Sequence, residues 1–266
     1  MENYWNNREE LSKRAKEHIE IMKEKYPREI QNSISRTEYY DSDYLDLNKL
    51  NNFYSNSFFP ILFQPEHIVE KLDTVSAIFK YSYMNGKMVA LNFASFKNPG
   101  GMFLKGSSAQ EESLCHESTL YNVISCFDSC YYENNRSNTN RALYYDRSMY
   151  SPDIVFERNG KIKKCDIITC AAPNRRAAIR YKMVTEEENY DALVKRISHV
   201  LNVALLHQPN ILILGAFGCG VFGQSAEKVA SIFYDQLTRQ KWNPIQKIIY
   251  AIPGGKNFEM FKKVIH

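Results

Sequence analysis

The sequence predicts an α/β fold in which helices cover both faces of a central sheet. From about Val75 onward, short runs rich in valine and isoleucine alternate with segments of helical pattern, the signature of a three-layer α/β/α sandwich. The run NILILGAF (210–217) is apolar almost throughout, as a central strand covered on both faces requires. At 266 residues and 44% hydrophobic composition, the chain can bury one large core, or one core with an appendage.

Residues 1–50 read as an accessory helical extension and residues 51–266 as the main domain. In the extension, Leu11, Ala15, Ile19 and Met22 fall on one helical stripe, and Pro27 ends that helix. The tract SRTEYYDSDYLDLNKLNN (35–52) is polar, tyrosine-rich and expected to be loop with short structure. TVSAIFKYSY (74–83) and KMVALNFAS (87–95) read as strands joined by a Met84-Asn85-Gly86 hairpin turn. A helix follows Gln110, and CDIITCAAP (165–173) is a strand. Next comes a long helix opened by a Thr185–Glu188 capping box, with Leu193, Ile197, Val200, Leu201 and Ala204 as its buried stripe. After NILILGAF, SAEKVASIFYDQL is a helix, KIIYAIP a strand and NFEMFKKVI a terminal helix. No internal repeat is visible.

Several function classes lose support. No run of 18 apolar residues exists, so no membrane-spanning helix is expected. The polar N-terminus MENYWNNREELSKRAKEH lacks an apolar signal core. The six cysteines are scattered through core-like and helical segments, so free thiols in a reducing cytoplasm are expected rather than a disulfide framework or zinc. The histidines show no ligand spacing. With 34 basic and 30 acidic residues, a net charge of +4 argues neither for nor against a polyanionic partner.

In open α/β sheets, ligands bind outside the carboxyl ends of the strands. Four unusual sequences lie there: NFASFKNPGGM, AAPNRR, GAFGCGVFG and PGGK. GAFGCGVFG (215–223) places four glycines in nine residues between a strand and a helix. Such a loop suits phosphate oxygens or simply makes a tight turn, and both readings stand. Phe217 and Phe222 within it are either apolar anchors or an aromatic face for a ribose or base. Cys219 is read as a small residue that fits the turn, with a nucleophile as the less favoured reading. Arg175 and Arg176 either contact phosphates or begin a solvated helix. His116 is expected to face solvent.

The stretch NPGGMFLKGSSAQEESLCHESTLY (98–121) carries the chemistry. Ser108-x-x-Glu111 has capping-box spacing, which accounts for Glu111 but not for Gln110 or Glu112. Carboxyls at a helix N-terminus are held ionised by the helix dipole. A general acid at such a place needs burial or a neighbouring negative charge to keep its proton near neutral pH.

Asn98-Pro99-Gly100-Gly101 followed by Gln110-Glu111-Glu112 resembles the signature loop of poly(ADP-ribose) glycohydrolases, macrodomain enzymes with a Gly-Gly-Gly run before Gln-Glu-Glu. The similarity is to the compact microbial-type group. It extends in order through NFASFKNPGG, SSAQEESLCHESTLY, YYDRSMYSPDIVF, AAPN and LGAFGCGVFG. The resemblance implies a macrodomain-like sandwich with a mixed central sheet. It also implies hydrolysis of ribose–ribose O-glycosidic bonds in poly(ADP-ribose), with ADP-ribose released from chain ends.

By the same resemblance, Glu112 is the general acid and Glu111 orients the ribose. Asn98 binds distal-ribose hydroxyls, Gly100 and Gly101 let the loop approach the diphosphate, and Gln110 belongs to the substrate-binding set. Gly218, Cys219, Gly220, Val221, Phe222 and Gly223 form the pyrophosphate cradle, with Phe222 on the distal ribose. No cofactor or metal is implied. The expected partners are ADP-ribose, its polymer and ADP-ribosylated macromolecules; no membrane or direct nucleic-acid contact is indicated.

Met102 departs from the family, standing where the third glycine would be. If that position needs φ > 0, methionine strains the loop. A binding module with little turnover is therefore the alternative to an enzyme, and a hydrolase of another ADP-ribosyl linkage is the third reading.

Overall fold

Side-chain alternation builds the sheet before any helix is considered. In a strand, successive side chains point to opposite faces. Val89, Leu91, Leu212, Leu214, Ile248 and Tyr250 enter one core, while Met88, Ala90, Ile211, Ile213, Ile249 and Ala251 enter another. Both faces must be covered, and both are. The computed structural model describes residues 8–41, 64–84, 86–239 and 245–265. Its seven strands are β1 (Glu38–Asp41), β2 (Glu66–Glu70), β3 (Met88–Phe93), β4 (Arg147–Arg158), β5 (Lys161–Cys170), β6 (Ile211–Leu214) and β7 (Lys247–Ala251).

They form one mixed sheet in the order β1-β4-β5-β3-β6-β7-β2. The strands from β5 to β2 run parallel, and β4 and β1 add antiparallel at one edge. The carboxyl ends of β3, β5, β6 and β7 therefore open at one end of the sheet.

On one face lie α8 (Glu186–His207), α9 (Ala226–Arg239) and α10 (Gly255–Val264), which contribute Leu193, Ile197, Val200, Phe233 and Phe261 to the first core. The other face carries α1 (Arg8–Lys25), α2 (Pro27–Arg36), α3 (Thr74–Tyr81), α4 (Gln110–His116) and α5 (Leu120–Ile124). Between α5 and β4 lies the short α6 (Glu133–Ser137), and α7 (Arg175–Lys182) follows β5. The arrangement is the expected three-layer sandwich with a mixed sheet.

Leu11, Ala15 and Met22 are buried on α1 as the stripe requires, and Pro27 opens α2 at its first turn. Ala15, Met22, Tyr26 and Ile30 belong to the same core as the sheet face above them. The Thr185–Glu188 capping box forms as read. No described helix is long and apolar enough to cross a membrane.

TVSAIFKYSY is not a strand. Residues 74–81 form α3, because the Asp73 carboxylate accepts the Ser76 N–H at 2.8 Å and caps a helix start. The expected hairpin is thus a helix-to-strand connection ending at Gly86; Asn85 lies outside the described residues. Most of the 35–52 tract lies outside them too, although residues 38–41 form edge strand β1. The long β4, which pairs with both β1 and β5, was not read from the sequence; a bulge between Ser151 and Ile154 breaks its alternation.

Candidate active site

At the carboxyl end of the sheet, three strand endings converge on a cavity of about 400 Å3. From the loop after β3 come Ser95, Asn98, Gly101 and Met102, and from the start of α4 come Gln110, Glu111 and Glu112; from the loop after β5 comes Ala172; from the loop after β6 come Phe217, Gly218, Gly220, Val221 and Phe222. The fourth ending, Pro253-Gly254-Gly255-Lys256, does not line the cavity and leads into α10.

The expected capping box does not form. Ala109 is the N-cap of α4, with no side-chain cap bond. The Glu111 carboxyl points inward instead: it accepts the Ser95 N–H at 2.7 Å on Oε2 and the Asn92 side-chain amide at 3.2 Å on Oε1. Gln110 locks the same helix start to the sheet. Its Nε2 donates to the Leu91 carbonyl at 2.8 Å and to Thr74 Oγ1 at 3.1 Å, while its Oε1 accepts the Phe93 N–H at 2.8 Å. With both polar atoms so engaged, Gln110 mounts the glutamates on the end of β3.

Glu111 and Glu112 are 3% and 5% exposed, so both carboxyls sit buried at the helix start. Burial pushes the Glu111 carboxyl up to about 8; the Ser95 and Asn92 hydrogen bonds oppose the rise and the neighbouring Glu112 charge adds to it. Among the described residues, Glu112 accepts one hydrogen bond, from the Met102 N–H to Oε1 at 2.9 Å. Glu111 is therefore held by more protein donors, Ser95, Asn92 and the Gly100 backbone, than Glu112, which has Met102 alone among the described residues.

Gly100 and Gly101 take φ of +67° and +62°, whereas Met102 has φ −106°. The third position of the loop does not take φ > 0, so the condition for strain at Met102 is not met. Met102 is 44% exposed and lines the cavity.

In the loop after β6, the N–H groups of Cys219, Gly223 and Gln224 bond within the loop, to Ala216, Gly220 and Gly218 carbonyls at 3.1, 3.1 and 3.0 Å. Those of Gly218, Gly220, Val221 and Phe222 have no protein acceptor among the described residues. These four line the cavity, a geometry suited to phosphate oxygens. Gly100, Cys219 and Gly223 do not line it. Burial pushes the Cys219 thiol up to about 12, which leaves it an inert small residue. Phe217 is buried and packs on Phe93 with centroids 5.7 Å apart, so it anchors the loop. Phe222 lines the cavity.

Beside Phe222 stands an aromatic wall not read from the sequence. Tyr144 stacks on Phe96 with centroids 4.2 Å apart and meets Phe222 edge-on at 5.9 Å. Arg175 does not line the cavity: it bonds Gly223 O at 3.1 Å and pairs with Glu186, steadying the glycine loop. Arg176 is outside the cavity lining as well, and its N–H donates to Phe222 O at 3.0 Å. His116 is buried against Phe103 rather than solvent-facing, and burial lowers it to about 4. Asn92 carried the clearest missed signal: a polar residue alone in the apolar strand MVALNF. All six cysteines are free, and no cluster of metal-ligating side chains occurs among the described residues.

A family model described as "Microbial-type PARG, catalytic domain" matches residues 6–159, more than half of the chain. Among solved structures, poly(ADP-ribose) glycohydrolase from Thermomonospora curvata is similar at 26% identity and TM-score 0.85, covering 97% of this chain and 100% of that one. The same enzyme bound to the inhibitor ADP-HPD is similar at 27% identity and TM-score 0.82, over 96% and 99% of the two chains. Poly(ADP-ribose) glycohydrolase from Deinococcus radiodurans in complex with ADP-ribose is similar at 28% identity and TM-score 0.79, over 89% and 96%. No curated protein matches the sequence.

Proposed function

Because the chain belongs to the family of microbial-type poly(ADP-ribose) glycohydrolase catalytic domains, we propose that it hydrolyses ribose–ribose glycosidic bonds of poly(ADP-ribose), with Glu112 as general acid and base. The observation that carries this reading is the unequal mounting of two buried carboxyls at one helix start. Glu111 is held by Ser95 and Asn92, and Glu112 meets the protein through one bond from Met102. The two carboxyls are held differently by the protein, which supports distinct roles for them rather than two equivalent carboxylates acting on one bond. One positions the sugar and the other moves the proton.

The diphosphate of a terminal ADP-ribose unit rests on the free N–H groups of the loop after β6, with its distal ribose against Phe222 and Asn98. Glu112 donates its proton to the leaving ribose oxygen as the C1″–O bond breaks. Positive charge builds on the departing sugar, as in other glycoside cleavages, and the substrate's own phosphates lie close enough to stabilise it. A water then attacks C1″ and gives its proton to the Glu112 carboxylate. ADP-ribose leaves, and the acid is restored. Release from chain ends follows the family resemblance, as do the roles of Asn98 and Phe222. The ordinary φ of Met102, −106°, supports turnover over a reader without it.

Polymer hydrolysis by Glu112→Gln tests the assignment. Loss of the acid is expected to lower kcat by about 100-fold or more, with ADP-ribose affinity in calorimetry kept within a few-fold. Undiminished kcat in the variant would refute the acid, and no ADP-ribose binding at millimolar concentration would refute the site.

A further inference from the structure

Beyond the cavity, α1 and the 3-10 turn Phe103–Lys105 line a second cleft of about 410 Å3, formed by Arg8, Glu9, Ser12, Lys13, Lys16 and Lys105. Four cations face one carboxylate there. Lys13 lies 3.8 Å from Glu17 in an exposed pair, which is worth little in water. Arg8, Lys16 and Lys105 make no salt bridge among the described residues.

The cleft is tied to the loop that carries the catalytic hydrogen bond. Ser12 Oγ donates to Leu104 O at 2.7 Å. Gly106, at φ +71°, lies so close to α1 that a Cβ would come 2.0 Å from Arg8 O, so a glycine is required for the two segments to dock. Met102 lines the cavity and donates its N–H to Glu112; Lys105, three residues on, lines the cleft. At about 2 Å of rise per residue in a 3-10 turn, the two sites are near neighbours. Met102 and Leu104, 44% and 39% exposed, present apolar surface on the turn between them.

We propose that this cleft holds the diphosphate of the polymer unit adjoining the one released. The inference rests on the glycohydrolase reading and deepens it. In that reaction the leaving oxygen belongs to a ribose that still carries an adenine and a further diphosphate. The adenine meets the apolar turn, and the diphosphate meets Arg8, Lys16 and Lys105. The surface thereby favours polymer over a single ADP-ribosyl group.

The test compares the full chain with its Lys16→Glu/Lys105→Glu variant on two substrates. One is poly(ADP-ribose); the other is an ADP-ribose 1″-glycoside of p-nitrophenol, which has the same carbon to attack but no unit beyond it. On polymer, kcat/KM is expected to fall about tenfold at low salt, with the gap closing as salt screens the charges. On the phenyl glycoside the two proteins should agree within about twofold, because no charge lies beyond the phenol. Unchanged polymer kinetics, or an equal fall on both substrates, overturns the proposal while leaving the glycohydrolase reading intact. Inactivity of the unmodified chain on both substrates removes that reading and this proposal with it. Polymer kinetics unchanged but a single-stranded DNA complex lost in the variant assigns the cleft to nucleic acid and likewise overturns it.

Discussion

A Cβ at Gly101 would lie 2.7 Å from Glu112 Oε1 and 2.9 Å from Glu111 Oε2. Gly101→Ala therefore displaces both carboxyls, besides straining a backbone at φ +62° by about 1 kcal/mol. On the proposed mechanism, turnover of polymer is expected to fall at least about 100-fold, because the displaced Glu112 loses its geometry, while the thermal midpoint drops only a few degrees. Met102→Gly is the converse case. Methionine already has an ordinary φ, so glycine relieves nothing, and activity should stay within about twofold of the parent. A large gain in kcat or affinity would show that the methionine hinders the loop.

Glu111 gives a pH test. Its folded pKa, near 8, lies above the ordinary value of 4.5, so the folded state holds an extra proton between those values. Stability linked to this group is full below about pH 4.5 and is lost as pH rises toward 8. Glu111→Gln abolishes that loss, so the variant's melting temperature should gain on the parent by roughly 3–10 °C between pH 5 and pH 8. Parallel melting curves across that range would contradict the raised pKa.

Among the elements, the segment before β4 bears the most strain. Asn140, Arg141, Ala142 and Tyr144 all have positive φ, at about 1 kcal/mol or more each. Arg196 on α8, 1% exposed, opposes the strain: its Nε donates to Asp146 at 2.7 Å, and its other nitrogens donate to the Leu143 and Ala171 carbonyls. The guanidinium joins α8, the end of β5 and the segment carrying Tyr144. Arg196→Met leaves Asp146 and two carbonyls without their partner, and should destabilise the fold by about 3 kcal/mol. It should also raise KM for polymer, since Tyr144 backs Phe222; denaturant unfolding and steady-state kinetics read the two effects separately. Elements with strong local signals, such as the Thr185 capping box and the apolar β6, were legible in the sequence. Residues 74–81 were misread because β-branched and aromatic residues suggest a strand, while the deciding feature was the Asp73 cap.

Across the whole molecule, α1 reaches to the loop that carries Met102. Ala15 is fully buried in the core beneath the sheet, and Ser12 and Arg8 meet the turn that follows Met102. Ala15→Glu places a charge in that core without a partner and should lower stability by about 3 kcal/mol or more. If α1 supports the catalytic loop, kcat/KM on polymer falls in the same variant even at temperatures where circular dichroism shows it folded. Unaltered kinetics there would mean that α1 and the loop are mechanically independent.

Periodicity and turn chemistry are local, so the α/β class, most of the parallel strands, the long capped helix and the three strand endings at the cavity, out of four expected there, were legible in the sequence. Direction and partnership are not local. Ser108 and Glu111 have the spacing of a cap, but the chain's return past Asn92 and Ser95 offered Glu111 better donors, and the carboxyl turned inward. Whether Met102 was strained depended on a φ that no residue type announces. Only the tertiary structure decided these points, because each is a competition between a local hydrogen bond and a partner from a distant strand, and burial favours whichever leaves fewer polar groups unpaired.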